Sequence, residues 1–316
     1  MKYRIGIDVG GMSIKFGLVN TKGEIVSATR VVTSKDVYRA IDDMVACINE
    51  LLIKSDITVN DVEGVGIGCP GAVDSARGYV ITLPNLGWNN IPLAKLLEER
   101  LELKVVLSND VNVAALGEAR YGAAKNYNTS IMLAIGTGVG SGIIIDKKLF
   151  EGGFSRGAEI GHTTLYKDGL ECTCGRKGCV ECYASTTALI KQTKEEMLKN
   201  RSSKMWEFVA GDIEAVDGRT AFECSRIGDE SAIKVVDTFI SYLGECLLDV
   251  CNVFRPDAII IGGGISAQGD YFINKLIKYC EKYNYGYKDA PKTDIVAATL
   301  GNDAGIIGAS LLLDNK

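Results

Sequence analysis

The chain has 316 residues, and its 35 basic and 40 acidic side chains give a formal net charge of −5 at pH 7. Broad contact with a phosphate backbone needs a basic face, so nucleic acid is not expected as a partner. The composition, 47% hydrophobic and 24% charged, is typical of a globular protein and excludes disordered or fibrous chains. At roughly 150 residues per domain, the length predicts two domains.

The ten cysteines and the start of the chain bear on the cellular compartment. A chain of this length can bury a sufficient core without disulfides, so we expect free thiols in a reducing environment. Asp8 comes before any apolar stretch of signal length can form. The sequence also lacks the ~18 consecutive apolar residues of a spanning helix. These features predict a cytoplasmic protein that does not contact a membrane.

In chain order, the first half of the sequence predicts a mixed sheet with helices. Apolar residues recur every three or four positions from Val37 to Leu52, which indicates an amphipathic helix with Ser34 as its N-cap. Runs of small, β-branched and apolar residues bounded by turn residues predict the other elements. The strands are expected at Tyr3–Val9, residues 14–19, residues 24–32, Val62–Cys69 and residues 104–107, and the further helices at residues 92–101 and 110–121.

The order of strand, glycine turn and strand recurs in the middle of the chain. Apolar residues 131–135 and 143–145 flank a run with four glycines, and residues 146–148 predict a hairpin turn. We interpret this as a duplicated unit forming two related lobes, although hairpins with glycine turns are common enough to give the pattern without duplication. The remaining predicted elements are a long helix at residues 229–254, a buried strand at residues 258–261 and a helix of small residues at 302–313.

Three glycine clusters follow apolar strands and indicate phosphate binding. Glycine lets backbone N–H groups converge on an anion and lets a phosphate approach closely. Any one cluster could be a simple hairpin turn, but three at equivalent strand ends favour a nucleotide held between lobes. The clusters are Asp8-Val9-Gly10-Gly11, Gly136-Thr137-Gly138-Val139-Gly140 and Gly262-Gly263-Gly264.

Two common nucleotide motifs are excluded. The chain has no Gly-Lys dipeptide, which a P-loop requires. Residues 136–142 lead into a strand, whereas the dinucleotide fingerprint leads into a helix. Asp8 at the end of its strand could orient the hydrated Mg²⁺ that accompanies ATP, or it could simply cap the turn.

One short region has the composition of a metal site. Cys172, Cys174, Cys179 and Cys182 fall within 11 residues, and His162 precedes them. Clustered thiols separated by glycine turns are typical of tetrahedral Zn²⁺. The residues leave two ligand sets open: His162 with Cys172, Cys174 and Cys179, or the four cysteines with His162 free. Either set has four protein ligands, so the expected zinc is structural.

His162 is the only histidine, and this restricts the possible chemistry. Residues 153–157 match the Gly-x-Ser-x-Gly pattern of serine hydrolases, but no convincing strand precedes them and the lone histidine belongs to the expected metal loop. Asp110 is the remaining candidate for proton chemistry. It could cap the helix that starts there, or it could accept a proton from a substrate hydroxyl, and periodicity does not decide between these roles.

Together these motifs resemble the ROK family (repressor, open reading frame, kinase) of the actin-like ATPase and sugar kinase superfamily. The resemblance spans nearly the whole chain, and the cysteine run with Glu-x-Gly-His ahead of it is its most specific part. The motifs are the three glycine clusters, Gly68-Cys69-Pro70-Gly71, Asn109-Asp110, Glu159-Ile160-Gly161-His162 and the cysteine run through Cys179-Val180-Glu181.

The resemblance implies an α/β, two-lobed actin-like ATPase or ribonuclease-H-like sugar kinase fold, with mixed sheets flanked by helices. It implies a small α/β domain at residues 1–110, joined by the carboxy-terminal helix at residues 302–316. The large α/β domain would span residues 111–301 and contain a zinc loop at residues 162–182. A homodimer is also expected.

The implied activity is transfer of the γ-phosphoryl group of ATP, with Mg²⁺, to the 6-hydroxyl of a hexose, with glucose as the expected substrate and Asp110 as general base. N-acetylmannosamine, fructose, a β-glucoside or a non-catalytic sugar-sensing role are the alternatives. The implied hexose-binding residues are Gly71, Asn85, Asn109, Asp110, Glu159, His162 and Glu181. The implied nucleotide-binding residues are Asp8, Gly10, Gly11, Ser13, Lys15, Thr137, Gly138, Gly262, Gly263 and Gly264.

The resemblance also bears on the metal ligands and on one departure from the family pattern. One ring nitrogen of His162 would bind zinc and the other the sugar, which favours His162, Cys172, Cys174 and Cys179 as the ligand set. Family kinases usually read Asp-x-Gly-Gly-Thr, whereas Met12 stands in the place of Thr here, and Ser13 could supply the missing hydroxyl. Family repressors carry a helical DNA-binding module before the first glycine cluster. Seven residues precede Asp8, so no such module is expected.

Overall fold

A computed structural model describes residues 2–285 and 291–314 of the chain. The chain divides into two compact units. The first contains Met1–Ile131, Gly142–Ala158 and Thr299–Lys316, and the second contains Met132–Ser141 and Glu159–Ala298. The domain boundaries expected at residues 110 and 301 stay predictions. Residues 286–290 of the predicted large domain, and residues 315 and 316 of the predicted carboxy-terminal segment, lie outside the described residues.

The strands agree with most of the predicted positions, with ends that differ by a few residues. The largest shift is in β10, which begins at Val139 rather than at residue 143. The strands are β1 Tyr3–Val9, β2 Ser13–Asn20, β3 Ile25–Val32, β4 Val62–Cys69, β5 Ala72–Asp74, β6 Tyr79–Leu83, β7 Trp88–Ile91, β8 Val105–Asn109, β9 Ser130–Ile135, β10 Val139–Ile145, β11 Lys148–Phe150, β12 Ala258–Gly262 and β13 Asp294–Ala297.

The helices include every predicted one, and the prediction of the first N-cap is wrong. Asp36 caps α1, because its carboxylate accepts hydrogen bonds from the Tyr38 and Arg39 amides, while Ser34 accepts from the Asp36 amide. The α-helices are α1 Val37–Lys54, α2 Leu93–Leu101, α3 Asp110–Tyr121, α4 Glu181–Ala184, α5 Thr186–Lys199, α6 Met205–Phe208, α7 Thr220–Arg226, α8 Glu230–Phe254, α9 Gly269–Tyr283 and α10 Ala304–Leu311. Among the described residues, each helix is too short or too polar to cross a lipid bilayer.

Two five-stranded sheets share one strand order. The first is β3-β2-β1-β4-β8, and the second is β11-β10-β9-β12-β13. In the first sheet β2 pairs antiparallel with β1 and β3, while β1, β4 and β8 run parallel. In the second, β10 and β11 are antiparallel and β12 and β13 are parallel. The repeated order is what a duplicated strand-glycine-strand unit would give. A third sheet, β5-β6-β7, was not predicted.

Helix α10 packs on the first sheet by direct approach of two backbones. A side chain at Gly6 of β1 would overlap the Ile306 carbonyl, and one at Gly66 of β4 would overlap the Ala309 carbonyl. Glycine at these two positions therefore lets a helix of small residues lie against the strands. The level at which both strands end is set by their parallel register, in which Asp8 lies opposite Gly68.

Candidate functional site

In the first unit, the expected acidic residues Asp8 and Asp110 lie near the carboxyl ends of the parallel strands β1 and β8. The register places Asp8 of β1 opposite Gly68 of β4, and Gly68 opposite Ser108 of β8. The carboxyl ends of parallel strands meet at one edge of a sheet, where α/β proteins bind their ligands. Asp8 and the corner from β8 into α3, which carries Asp110, therefore lie at the same edge.

Asp110 is the first residue of α3, but it is not the cap. The side chain of Asn109 accepts hydrogen bonds from the Val111 and Asn112 amides at 2.9 and 3.3 Å and is the N-cap. Burial raises the pKa of the Asp110 carboxyl, the charge of Asp8 raises it further, and a hydrogen bond from the Val111 amide opposes both. A carboxylate with a raised pKa beside a ligand-binding edge is suited to accept a proton.

Two of the expected hexose-binding residues contact each other, and a third does not. Asn109 Nδ2 donates to the Gly71 carbonyl at 3.3 Å. Gly71 has a φ of 80°, and a side chain there would overlap the Thr82 carbonyl, so the turn requires glycine. Asn85 lies exposed in the turn between β6 and β7.

Asp8 has one cationic partner and one close neighbour on α10. Lys15 Nζ lies 3.2 Å from Asp8 Oδ2, because the two residues are opposite each other in the β1–β2 ladder. A Cβ at Gly305 would lie 2.9 Å from Asp8 Cγ. The absence of a side chain at Gly305 therefore leaves the space that the Asp8 carboxylate occupies. Asp8 and Lys15, both expected at the nucleotide, do lie together.

The first glycine turn is closed by a residue that the sequence did not point to. The Gly10 amide donates to the Ser13 carbonyl at 3.0 Å. Thr33, directly after β3, donates through Oγ1 to the Gly10 carbonyl at 2.7 Å and through its amide to the Met12 carbonyl at 3.1 Å. The Met12 side chain is 88% exposed. No local motif marks Thr33, because the β2–β3 pairing brings it to this turn.

In the second unit, Glu181 contacts the second glycine turn. Its Oε2 accepts a hydrogen bond from the Val139 amide at 3.0 Å. A side chain at Gly138 would overlap this carboxylate, so the glycine makes room for Glu181. The other carboxylate oxygen, Oε1, lies 3.8 Å from Cys172 Sγ. Glu181 therefore lies beside both the glycine turn and the cysteine cluster.

The start of α5 also holds this turn. The Thr186 amide donates to the Gly136 carbonyl, and Thr187 Oγ1 donates to the Thr137 carbonyl, both at 2.8 Å. Sequence reasoning missed both threonines. The available signal was Ser185, a typical N-cap residue whose side chain accepts from the Ala188 amide and so places the helix start at the turn.

The third glycine cluster lies next to the second. Gly263 has a φ of 80°, and a side chain there would overlap the Ile135 carbonyl at the end of β9. A side chain at Gly262 would overlap the Met132 side chain. Thus Gly263 is required by its backbone conformation and by the Ile135 backbone, whereas a side chain at Gly262 would only displace the flexible end of Met132. The two clusters expected to bind phosphate lie together there.

In each cluster, at least one glycine lies where no contact within the protein requires a glycine. A Cβ added at Gly11, Gly136 or Gly264 would meet no protein atom within 4 Å, and none of the three has a left-handed φ. Neither packing nor backbone conformation therefore requires glycine at these positions. A backbone open on one side is what close approach of a phosphate needs.

The expected metal ligands form one cluster. Ligand atoms of His162, Cys172, Cys174 and Cys179 all lie within 4.8 Å of one another. His162 Nδ1 and Cys172 Sγ are 3.6 Å apart, as are Cys174 Sγ and Cys179 Sγ. Tetrahedral zinc with Zn–S bonds of about 2.3 Å separates its sulfur ligands by about 3.8 Å. Three thiols and an imidazole at these distances fit Zn²⁺ in both chemistry and spacing.

Cys182 lies outside this group of four and donates to the Glu171 carbonyl. His162 faces Cys172 through Nδ1, which leaves Nε2 on the other side of the ring. Glu159 is exposed at the start of the same short turn, and its carbonyl accepts from the His162 amide at 3.0 Å. The second unit therefore brings Glu159 and His162 into one turn.

Comparison with known proteins agrees with the geometry. The ROK family model matches residues 4–316. A glucokinase of Streptomyces coelicolor is 34% identical over 312 residues, which cover 98% of this chain and 97% of the relative. A xylose repressor of Caldicellulosiruptor bescii is 32% identical over 276 residues, 86% of this chain and 68% of the repressor.

A solved structure supports the same conclusion. It is the crystal structure of a ROK family glucokinase from Streptomyces griseus in complex with glucose and AMPPNP. It is 35% identical, has a TM-score of 0.82, and matches 99% of this chain and 100% of that one. The predicted fold class and the predicted resemblance are confirmed, and the chain belongs to the ROK family.

Proposed function

We propose that this chain is an ATP-dependent hexose kinase that phosphorylates the 6-hydroxyl of glucose, with Asp110 as general base. The observation that carries the proposal is Asp110 itself, a partly buried carboxylate with a raised pKa at the ligand-binding edge, where Asn109 already caps the helix. The full-length similarity to a glucokinase, and to one with bound glucose and AMPPNP, supports the kinase activity.

In the proposed reaction Asp110 accepts the proton of the sugar hydroxyl. The hydroxyl oxygen then forms a bond to the γ-phosphorus of ATP, and the bond from that phosphorus to the bridging oxygen breaks to release ADP. Phosphoryl transfer depends mainly on positioning and charge neutralisation. Asp8 would orient hydrated Mg²⁺, and Lys15, 3.2 Å from Asp8, adds a positive charge at the same edge.

The open glycines support ATP as the phosphoryl donor. Gly11, Gly136 and Gly264 each leave backbone accessible where a side chain would not clash with protein. A triphosphate needs several converging N–H donors without intervening Cβ atoms. The remaining expected residues, Ser13 and Thr137 among them, belong to the same turns.

Each unit carries polar groups of the kinds that bind a hexose. A sugar hydroxyl both donates and accepts, so it is bound best by amides, carboxylates and imidazole. Asn109 and Gly71 contact each other in the first unit, and Glu159, His162 and Glu181 belong to the second. Glu181 uses one oxygen for the Val139 amide, and its remaining lone pairs are available for hydroxyls.

His162, Cys172, Cys174 and Cys179 would hold a structural zinc ion. When bound, zinc supplies a fixed centre for a loop that has little apolar core of its own. With Nδ1 directed to the thiols, the tautomer is defined and Nε2 is the nitrogen available to a sugar. No step of the reaction takes place on the metal.

A coupled assay with ATP and a panel of hexoses tests the proposal. We expect turnover with glucose to exceed turnover with N-acetylmannosamine, fructose and β-glucosides. A different preferred sugar would overturn the assignment of glucose but would still support the kinase activity. Binding of sugar without turnover of ATP would overturn the kinase in favour of a sugar-sensing regulator.

A further inference from the structure

Glu151 joins separate segments of the first unit through its carboxylate. It directly follows β11, and its Oε1 accepts from Ser108 Oγ at 2.5 Å while its Oε2 accepts from Ser75 Oγ at 2.7 Å. Both serines are buried, with 0% and 3% exposure. Buried hydroxyls need partners, and bonds to a carboxylate are shorter and stronger than neutral ones. Glu151 is therefore firmly bonded on two sides.

The first of these bonds reaches the corner that carries Asp110. Ser108 is the penultimate residue of β8, two positions before Asp110. Asn112, in the first turn of α3, donates from Nδ2 to Ser108 Oγ at 3.4 Å. Ser108 thus connects Glu151 both to the end of the strand and to the start of the helix.

The second bond anchors a loop with an unusual backbone. Between Glu151 and Glu159 the chain has positive φ at Gly152, Phe154, Ser155 and Ala158. Residues other than glycine adopt this conformation only when their surroundings hold them there. The Gly157 amide donates to the Glu151 carbonyl at 2.8 Å, and Ser155 Oγ lies 2.7 Å from Ser75 Oγ. These bonds hold the loop to Glu151 and Ser75.

We propose that Glu151 is a positioning residue for phosphoryl transfer. Its carboxylate holds the corner that presents Asp110 and the loop that leads into Glu159, without itself touching substrate. This inference rests on the proposed function, because it assumes that Asp110 is the base. Ser155, which matches a hydrolase motif in the sequence, belongs to this network as an outer member bonded to Ser75.

The test compares Glu151→Ala with Glu151→Gln and with Ser155→Ala as the matched control. Glu151→Ala removes both bonds and should lower kcat about tenfold or more while leaving the KM for ATP within about twofold, since small displacements of a base are costly. Glu151→Gln should restore most of kcat, because its amide oxygen can accept from one serine while its amide nitrogen donates to the other. Ser155→Ala removes only the bond between the loop and Ser75 and leaves both bonds of Glu151 intact, so it should lower kcat much less than Glu151→Ala does.

Other outcomes of these measurements would contradict either the positioning role of Glu151 or the proposed function. A Glu151→Ala kcat within twofold of the wild type overturns the inference, and so does a Glu151→Gln variant as slow as Glu151→Ala. If Glu151→Ala does not fold, Ser108→Ala breaks the same bond from the other side and must lower kcat by a comparable factor. A wild type without hexose kinase activity would contradict the proposed function instead. An active wild type with inactive Asp110→Asn and normal Glu151→Ala contradicts only the positioning role.

Discussion

The two five-stranded sheets have the same strand order, yet their first glycine turns are held in different ways. The turn after β1 is closed locally, by the Gly10 amide on the Ser13 carbonyl and by Thr33 at the end of the adjacent strand. The turn after β9 is held by Glu181 and Thr186, which follow the cysteine cluster in the chain. Repetition of one topology therefore supplies two similar turns, and the segments inserted around them supply different chemistry.

The largest expected effect concerns the first sheet, whose edge carries the proposed base. Asp110→Asn should lower kcat by at least about 100-fold, because a positioned general base contributes about that much. Asparagine keeps an oxygen that can accept from the Val111 amide, so the corner should stay folded. Steady-state kinetics with glucose and ATP measure the effect. A loss of less than tenfold would show that Asp110 is not the base.

In the second unit, the corresponding prediction concerns the metal ligands. Cys179→Ser removes a fully buried member of the cluster and should weaken zinc binding by at least about 100-fold, since loss of even an outer contact to a metal ligand costs 10-fold or more. Cys182→Ser is the matched control and should retain one zinc per chain, because Cys182 lies outside the group of four. Metal analysis of the purified variants measures this. If Cys182→Ser lost zinc and His162→Ala retained it, the ligand set would be the four cysteines and not His162 with three of them.

The raised pKa of Asp110 predicts the pH dependence of the rate. The base must be ionised, so kcat/KM for the sugar should fall about tenfold per unit as the pH drops below this pKa. The fall should begin above the ordinary Asp value of about 3.9. A pH profile that is flat down to about pH 4 would contradict the raised pKa.

The raised pKa of Asp110 also determines whether the folded chain becomes more or less stable as the pH rises. With a folded pKa above the unfolded value, Asp110 contributes stability below about pH 3.9 that is lost as the pH rises through the folded pKa. Asn cannot ionise. The unfolding temperature of Asp110→Asn should therefore rise relative to the wild type between about pH 4 and pH 8. Thermal unfolding at both pH values checks this, and the opposite trend would mean that ionised Asp110 is stabilised by the fold.

Local patterns predicted the parts of the fold that depend on local physics. Apolar spacing located α1 and α8, because each helix buries one face, and short runs of small and β-branched residues located β1 and β4, which are mostly buried. The prediction of Ser34 as N-cap was wrong, since Ser34 and Asp36 are both typical capping residues and the helix begins only at Val37, where Asp36 accepts the free amides. The sheet β5-β6-β7 was missed because its strands have three to five residues, too few for a periodic signal.

The site shows the same division between local and distant contacts. The motifs around Asp8, Asp110 and the cysteine run are contiguous in sequence and were found there. The contacts made by Thr33, Thr187 and Glu151 join residues 23 to 76 positions apart, and no spacing rule marks them. The sequence also left the fourth metal ligand open until the resemblance favoured His162, which lies beside Cys172.

The smallest expected effect compares the two glycine turns directly. Gly11→Ala and Gly136→Ala each add a methyl group that meets no protein atom within 4 Å, so the unfolding temperature should not change. If each backbone approaches a phosphate of ATP, each variant should weaken AMPPNP binding about fivefold, the value of roughly one hydrogen bond. Gly10→Ala is the contrasting variant, because its Cβ would lie 2.8 Å from the Ser13 carbonyl and should lower stability. Calorimetric titration that shows weaker binding for only one of the open glycines would assign the phosphates to one turn, and the shared topology would then not imply a shared role.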